Sequence, residues 1–319
     1  MTRKWFVREE AETDPDFGCV PSRRPAEELL ERGVVVLDKP FGPPSNQVSS
    51  WLRKSLDLGK TGHFGTLDPH ATGVLPVGLN RGTRLSPALS ETQKEYVFEV
   101  SLSESVSESD AVEALKGFVG ENSQVPPEKS AVERRERPRE LYEAELLECL
   151  GDTLLARVRC ESGFYVRVLV NQLGDRLSTD AEMPDLRRTS QGEISENECV
   201  TLQEAVEAYK EYSDTGEVTA LRDVVRPPEV AVGHLPKLAI KDTAVNAVAN
   251  GADLGAGGIS RLQEGISEGD RVAIMTLKGE LVALATAEMT SEQMYEEHGS
   301  AADLESVHME PERYPRRWN

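Results

Sequence analysis

A glycine-rich stretch, KTGHFGTLDPHATGVLPVGLNRGTR at residues 60–84, constrains this chain more than any other part of its sequence. Glycine permits close backbone approach and positive φ angles, so the stretch can fold tightly against a ligand or another chain. Its apolar piece at residues 74–77 predicts a strand, and Pro76 restricts that strand to a sheet edge or a bulge. Arg81 and Arg84 end the stretch with two positive charges.

Asp68 is the one acidic residue of this stretch, and Pro69 follows it. A lone carboxylate on a glycine-rich loop is a candidate nucleophile or general base. The same spacing also fits an Asx-turn, in which the carboxylate accepts hydrogen bonds from its own backbone. From the residues alone, both interpretations stay open.

Regular elements are predicted on both sides of this stretch. Residues 34–37 read as a β-branched strand, and a helix follows with Ser45 as its N-cap. Apolar spacing places four residues of that helix in the core: Val48, Trp51, Leu52 and Leu56. Residues 94–102 alternate between apolar and polar side chains, which predicts a half-buried strand.

Two more patterns lie further along the chain. Residues 140–147 and 153–160 alternate as strands do and predict a hairpin. Residues 161–170, ESGFYVRVLV, are also expected to form a strand, on which Tyr165 and Arg167 point to the same side. Both side chains could therefore reach one pocket.

The composition changes near residue 232, where HLPKLAIK predicts a strand. Asp242 is expected to cap a helix over residues 243–250, and Gly251 is its natural stop. Further strands are predicted at residues 258–262, 270–276 and 280–287. These elements fit a small, strand-rich barrel.

Length and composition narrow the class of protein. The 319 residues suffice for two domains, and 38% hydrophobic with 29% charged residues is typical of a soluble globular protein. No apolar run approaches the roughly 20 residues that span a bilayer, and the acid-rich start lacks a signal-peptide pattern, which predicts a cytoplasmic protein without membrane contact. The four cysteines show no C-x-x-C spacing, so neither a zinc site nor a disulfide scaffold is expected.

Several strings together resemble the motifs of the TruB and dyskerin family of RNA pseudouridine synthases. They are GHFGTLDPHATGVLPV with NRGTR behind it, LDKPFGPPS, KEY, SGFYVR and LRRTSQG. Departures from the family pattern stand at Pro44, Asn46, Phe164 and Gln172. The string LPKLAIKDTAVNAVANGADL is similar to a PUA domain, an RNA-binding module joined to archaeal and eukaryotic members, and the chain most resembles the archaeal ones.

The resemblance implies an α+β fold, with a mixed-sheet catalytic core, flanking helices and a C-terminal β-barrel PUA domain. It implies three domains: an acidic N-terminal extension at residues 1–32, a catalytic domain at 33–230 and a PUA domain at 232–319. The extension, rich in acids and prolines, is expected either to be partly disordered or to lie along another domain.

The resemblance also implies a reaction. Pseudouridine formation breaks the N-glycosidic bond of a uridine, turns the base and rejoins it through carbon, without cofactor or metal. Asp68 would attack the nucleoside, at the sugar or at the base ring, while Arg167 holds the carboxylate ionised and oriented. Tyr96 would stack on the base and help to remove its proton. Six residues would bind substrate: His63, which fills the space of the flipped nucleotide, Tyr165, Leu186, Lys39, and Arg187 and Arg188, both candidates for phosphate contact.

The implied substrates are RNA. Guide-directed action on rRNA, with an H/ACA guide RNA and small partner proteins, is one expectation, and stand-alone action on the tRNA T-loop uridine is the other. A non-catalytic RNA-binding scaffold is the alternative function. A zinc-dependent base deaminase is set aside, because neither H-x-E nor P-C-x-x-C occurs.

The net charge of −20 and the pI near 4.8 contrast with the basic footprint of most RNA-binding proteins. Eleven lysines stand against 25 arginines, and a lysine-poor, acidic surface suits concentrated salt, where charges are screened within about 3 Å at 1 M. We therefore expect a halophilic archaeal source. RNA contact is then expected at local positive patches, of which residues 126–139 are one.

Overall fold

The computed structural model describes residues 3–125 and 135–316. Most of the positive patch expected at residues 126–139 lies outside the described residues. Within the described ranges the strands are β1 Trp5–Val7, β2 Val34–Lys39, β3 Thr61–His63, β4 Ala71–Leu79, β5 Lys94–Leu102, β6 Gly120–Gln124, β7 Arg137–Cys149, β8 Thr153–Cys160, β9 Ala181–Glu182, β10 Leu186–Gln191, β11 Ile194–Ser195, β12 Lys237–Ile240, β13 Leu254–Gly255, β14 Ile259–Gln263, β15 Arg271–Thr276, β16 Leu281–Ala287 and β17 Ser300–Val307. The helices there are α1 Ala26–Arg32, α2 Ser45–Ser55, α3 Ser86–Ser90, α4 Glu108–Lys116, α5 Val166–Leu177, α6 Leu202–Thr215, α7 Thr219–Val224, α8 Asp242–Ala249 and α9 Ser291–Glu296.

By its internal contacts the chain divides into two compact units. The first comprises residues 1–34, 78–85 and 216–319, and the second comprises residues 35–77 and 86–215. In the described part of the chain, no helix is both long enough and apolar enough to cross a bilayer.

The second unit is built on a mixed sheet in the order β2-β4-β10-β5-β8-β7-β6. Strand β10 pairs in parallel with β4 and antiparallel with β5, which confirms the expected mixed α+β core. The predicted strand at residues 94–102 and the predicted hairpin are confirmed as β5 and the β7–β8 pair. Helices α4 and α5 cover this part of the sheet, with Phe98, Leu141 and Leu169 buried between the layers.

Of the two positions predicted for Pro76, a sheet edge or a bulge, the sheet edge is wrong. Strand β4 lies between β2 and β10, and eight of its nine residues are buried. The proline is tolerated because β10 pairs only with residues 71–73 of β4, so the missing N–H lies beyond that ladder. The carbonyl of Pro76 is still used, since it accepts a hydrogen bond from the Phe64 N–H at 2.9 Å.

Two predictions for helix α2 are wrong: its N-cap residue and the burial of Trp51. Pro44 occupies the N-cap position instead of Ser45, whose hydroxyl bonds the backbone of Leu67. Val48, Leu52 and Leu56 are buried as expected, whereas Trp51 is 40% exposed.

The strand expected at residues 161–170 is also wrong. Helix α5 begins at Val166, with Tyr165 as its N-cap residue and Arg167 in its first turn. The apolar residues that suggested a strand, Val166, Leu169 and Val170, lie on the buried face of this helix. Short apolar runs fit both element types, which is why their spacing misled the prediction.

The first unit contains a sheet in the order β1-β14-β12-β15-β16-β17-β13. Part of the N-terminal segment lies along this sheet, because β1 pairs antiparallel with β14. Asp242 does not cap α8 as expected. Lys241 takes the N-cap position, and the Asp242 carboxylate instead accepts hydrogen bonds from the Thr13 hydroxyl and the Asp14 N–H. Gly251, at φ 93°, follows the helix end as predicted.

Candidate active site

The loop that carries Asp68 is fixed by a buried lysine. The Lys39 ammonium donates to the carbonyls of Ala71 at 2.7 Å, Pro40 at 3.0 Å and Pro69 at 3.2 Å. Burial lowers the pKa of Lys39, and the Asp68 charge opposes that effect. Lys39 therefore supports the loop just after Asp68, and its three donors are already used.

Two further contacts hold the same loop. The Ser45 hydroxyl donates to the Leu67 carbonyl and accepts from the Leu67 N–H, both at 2.9 Å. Gly73 has φ 96°, and a Cβ there would lie 2.2 Å from the Arg188 carbonyl oxygen. A side chain is thus excluded where β4 meets β10, which explains one glycine of the glycine-rich stretch.

Asp68 forms an ion pair with Arg167, through its Oδ2 and the Arg167 Nη2. The two side chains are 54% and 41% exposed, so the carboxylate is not buried and stays accessible from solvent. The start of α5, which carries Arg167, is itself fixed by the amide of Gln124. That amide accepts from the Tyr165 N–H at 2.8 Å and donates to the Tyr165 carbonyl at 3.2 Å.

A cavity of about 510 Å³ lies beside this ion pair. Six of the residues predicted from sequence line it: Asp68, Tyr96, Tyr165, Arg167, Leu186 and Arg188. Residues that were not predicted supply much of its remaining wall: Pro44, Lys94, Ser162, Phe164, Val166 and Met183. The charged side chains Asp68, Arg167, Lys94 and Arg188 line this cavity together with apolar and aromatic ones, and its volume lies in the range of small-ligand sites.

Arg188 is the most deeply buried cation of this cavity, at 1% exposure. Its guanidinium donates to the carbonyls of Val74 at 2.7 Å and Gly65 at 3.0 Å. Phosphate contact, expected from the sequence, does not fit this enclosure, and the side chain instead joins the Asp68 loop to β10. Burial lowers the pKa of Arg188, an effect that Tyr96 opposes.

Tyr96, on β5, lies beside Arg188 of the neighbouring strand β10. Burial raises the pKa of the Tyr96 phenol, although the Arg188 charge acts in the opposite direction. The phenol is therefore neutral at ordinary pH, where it can stack on a base and form hydrogen bonds.

Lys94 was missed as a site residue, although it is the first residue of the KEY string. Its side chain is buried, and its ammonium donates to the Ser90 and Thr92 carbonyls at 2.5 Å and to the Ser162 hydroxyl at 2.9 Å. Burial, reinforced by the Arg188 charge, lowers the pKa of Lys94 to about 8. The alternation of β5 could have identified it, because residues 94 and 96 share one face of the strand.

Three predicted substrate-binding residues do not line the cavity: His63, Lys39 and Arg187. His63 bonds the Thr66 hydroxyl at 3.2 Å, and Thr66 does line it. Burial and the Arg188 charge lower the pKa of His63. Arg187 is held by Asp38, with contacts of 2.9 and 3.2 Å, and by Glu196 at 2.8 Å.

Models of known domain families match four consecutive parts of the chain. Residues 53–166 match the N-terminal domain of TruB family pseudouridylate synthase, and residues 167–233 match the C-terminal domain of tRNA pseudouridylate synthase B. Residues 236–308 match the PUA domain, and residues 1–49 match the DKCLD (NUC011) domain.

Whole-chain relatives agree with these matches. A probable tRNA pseudouridine synthase B of Pyrococcus furiosus is 47% identical over 321 residues, covering 100% of this chain and 94% of the relative. Its counterpart in Methanothermobacter thermautotrophicus is 46% identical over 310 residues, covering 97% of this chain and 96% of the relative.

Solved structures resemble the whole fold. A chain of a Cbf5-Nop10-Gar1 complex superposes with a TM-score of 0.94 at 46% identity, covering 99% of this chain and 97% of that one. A chain of an H/ACA RNP bound to a substrate RNA containing 2′-deoxyuridine superposes with a TM-score of 0.94 at 44% identity. The match covers 100% of this chain and 98% of that one.

Proposed function

This chain belongs to the TruB family of pseudouridine synthases, and we propose that the cavity beside Asp68 isomerises uridine to pseudouridine in RNA. The observation that carries this proposal is the Asp68–Arg167 ion pair at the mouth of a cavity with apolar and aromatic walls. A carboxylate in this position can reach a nucleoside whose base enters the cavity.

Asp68 is the proposed nucleophile, acting at the sugar or at the base ring. Its accessibility supports the role, because an exposed carboxylate can approach a ligand without rearrangement of the loop. Arg167 orients the carboxylate, and Lys39 holds the loop backbone just after it, at Pro69 and Ala71. A nucleophile held in one geometry avoids much of the entropic cost of reaching the reacting atom.

The base is proposed to stack on Tyr96, with Leu186 and Tyr165 forming the other walls. This arrangement suits a uracil ring, which is planar and apolar on its faces and polar on its edges. Since burial keeps the Tyr96 phenol neutral, we assign it stacking and hydrogen bonding in the resting state. Removal of the base proton by Tyr96 stays a prediction.

The target base has to leave its stack before it can enter the cavity. His63 is proposed to occupy the space that the flipped nucleotide leaves, outside the cavity itself. Its contact with Thr66, a cavity-lining residue, supports a place beside the entrance. Arg187 and Arg188 are proposed to hold the framework, through Asp38 and through the Asp68 loop respectively.

Two modes of targeting follow from the relatives. The likeness to chains of the Cbf5-Nop10-Gar1 and H/ACA RNP structures supports guide-directed modification of rRNA, with a guide RNA and small partner proteins. The likeness to relatives named probable tRNA pseudouridine synthase B supports modification of the tRNA T-loop uridine. We propose the first as the main activity and the second as an additional one.

We also propose a cytoplasmic location, the three domains with boundaries near residues 32 and 231, and a halophilic source. All four cysteines are unpaired, and free thiols persist in reducing compartments. The low lysine content and the net charge of −20 support the halophilic source. Growth of the source organism at ordinary ionic strength would contradict that last point.

The test is pseudouridine formation by the purified protein in multimolar KCl. Wild type, Asp68→Asn and the control Asp214→Asn, an exposed residue of α6, are compared on a tRNA transcript. A second arm uses an rRNA fragment with a guide RNA and partner proteins. We expect Asp214→Asn to behave as wild type and Asp68→Asn to form no product in either arm.

The substrate that is converted identifies the targeting mode. If wild-type protein binds RNA but forms no pseudouridine in either arm, the catalytic function is refuted and the chain is an RNA-binding scaffold.

A further inference from the structure

A second cavity, of about 200 Å³, lies wholly within the first unit and has no role in the reaction proposed above. Three arginines and one histidine contribute to its wall: Arg32, Arg81, Arg84 and His308. The sequence had singled out Arg81 and Arg84 at the end of the glycine-rich stretch, and the catalytic cavity uses neither. A space this large holds several water molecules, since one takes about 30 Å³ in the liquid.

The segment that carries Arg81 and Arg84 is rigidly placed. It forms a 3-10 helix, Asn80–Leu85, that packs on α1. A Cβ on Gly82 would lie 2.6 Å from the Arg32 carbonyl oxygen, so only glycine allows this approach. The Asn80 amide also donates to the Leu30 carbonyl at 3.2 Å. The cationic side chains therefore project from a fixed backbone.

The cavity contains more positive charge than the protein neutralises. Arg32 and Arg81 both bond the same carboxylate oxygen, Oε1 of Glu310. Within residues 3–125 and 135–316, Arg84 has no ion pair, and its side chain is exposed. No acidic residue of the described ranges lines the cavity, and Glu310 lines the neighbouring pocket. The three guanidinium groups in the wall thus have Glu310 as their one ion-pair partner among the described residues, in a chain whose net charge is −20.

Burial and, to a smaller extent, neighbouring cations lower the pKa values of two groups in the cavity wall. Burial lowers the pKa of Arg32, with Glu310 opposing and Arg81 reinforcing that shift. Glu28 and Glu31 also attract Arg32, and like Glu310 they line the neighbouring pocket. Burial, together with the charges of Arg84 and Arg32, lowers the pKa of His308 to about 4. The imidazole is therefore neutral at pH 7, and its Nε2 bonds the Ser306 hydroxyl at 2.8 Å.

We propose that this cavity, between the 3-10 helix Asn80–Leu85 and the segment around His308, binds a phosphate group through Arg84, Arg81 and Arg32. Guanidinium groups match phosphate oxygens in geometry and charge, and an anion between them removes their mutual repulsion. The phosphate comes either from an RNA backbone or from free phosphate, and the experiment distinguishes these sources. The proposal goes beyond the isomerisation reaction and does not depend on it.

The first arm uses inorganic phosphate and the full-length protein. We measure Tm and calorimetric binding as phosphate replaces chloride at constant ionic strength. Wild type is compared with Arg84→Gln and with Arg157→Gln, an exposed arginine of the second unit paired with Glu145. Both variants lose one positive charge, so non-specific electrostatics are matched. We expect Arg84→Gln to weaken phosphate binding by about tenfold and Arg157→Gln to leave it unchanged.

The second arm uses an unmodified tRNA transcript over a range of KCl concentrations. Each lost phosphate contact lowers the slope of log K against log salt by about one. If RNA supplies the phosphate, Arg84→Gln shows this smaller slope, Arg157→Gln keeps the wild-type slope, and inorganic phosphate competes with the RNA. If free phosphate is the ligand, Arg84→Gln affects only the first arm.

The proposal is overturned if phosphate gives no saturable effect on wild type and if the two variants bind RNA equally. Arg84 has no ion pair to lose, so Arg84→Gln is expected to fold, which circular dichroism checks. Pseudouridine formation is measured on the same preparations. Failure of the phosphate site and failure of the catalytic function therefore remain separate results.

Discussion

The two cavities use positive charge in opposite ways. In the catalytic cavity each cation already has a partner within the protein: Arg167 has Asp68, while Arg188 and Lys94 have backbone carbonyls. In the cavity of the first unit, two arginines share Glu310 and Arg84 has no ion pair within the described residues. Arg167 and Arg188 therefore hold the Asp68 loop in place and Lys94 holds the backbone at Ser90 and Thr92, whereas the second set is available to an external anion.

This difference indicates how a chain with net charge −20 can bind RNA. The number of arginines near a site says little, because a guanidinium committed to its own backbone cannot also neutralise a phosphate. What matters is how many of the cationic side chains in each cavity lack a hydrogen-bond or ion-pair partner within the protein. We therefore expect changes in the catalytic cavity to affect turnover or stability, and changes in the second cavity to affect anion affinity.

The largest expected effect is on turnover, from removal of the Asp68 charge. Asp68→Asn keeps the shape of the side chain but abolishes the nucleophile, so we expect pseudouridine formation to fall at least about a thousandfold, which corresponds to about 4 kcal/mol. Single-turnover assays measure this loss, and RNA affinity is measured on the same variant. Loss of RNA binding to a similar extent would contradict the assignment, because the contrast between the cavities places anion binding elsewhere.

The next prediction concerns the pH dependence of the free energy of unfolding, which follows from the lowered pKa of Lys94. Its folded-state pKa of about 8 lies below its usual value of 10.5. Between these pH values the unfolded chain retains a proton that the folded protein has released, so the free energy of unfolding rises with pH. At about 1.36 kcal/mol per pKa unit, the gain is about 3 kcal/mol between pH 8 and 10.5.

Lys94→Met is the matched variant, since it preserves the length of the side chain without its charge. Denaturant unfolding of wild type and variant across this pH range gives the difference directly, and other titrating groups cancel. We expect the wild type to gain stability relative to the variant as pH rises. A constant difference would show that the Lys94 pKa is not lowered.

A smaller effect is expected from Arg167→Lys. Lysine keeps the positive charge but replaces the planar guanidinium with a point charge, so Asp68 loses orientation and not its counter-ion. We expect turnover to decrease by about tenfold to a hundredfold with little change in Tm. A loss as complete as that of Asp68→Asn would instead give Arg167 a direct part in the reaction.

The sequence predicted which residues line the candidate active site better than it predicted their surroundings. Asp68, Tyr96, Tyr165 and Arg167 line one cavity as expected, because long motif strings identify residues regardless of local structure. The type of element around Arg167 was wrong, since a short apolar run fits a helix and a strand equally well.

The errors in residue roles arise from contacts between distant parts of the chain. Arg188 was expected to meet phosphate, but its partners Val74 and Gly65 lie more than a hundred positions away in sequence. Ser45 was expected to cap a helix, but Leu67 uses its hydroxyl. Local patterns cannot reveal such partners, and for the same reason they could not show that Arg81 and Arg84 do not line the cavity beside Asp68.

The smallest expected effect is on stability, from Glu310→Gln, and this variant tests directly whether the second cavity is available to an external anion. Glu310→Gln removes the carboxylate shared by Arg32 and Arg81, so the second cavity gains one unit of net positive charge. Because Glu310 is 51% exposed, we expect a stability loss of no more than about 1 kcal/mol in the absence of phosphate. Inorganic phosphate should then bind more tightly than to wild type, since it no longer competes with an internal anion. Thermal unfolding with and without phosphate measures both quantities, and a variant that binds phosphate more weakly would show that Glu310 organises the arginines and does not compete for them.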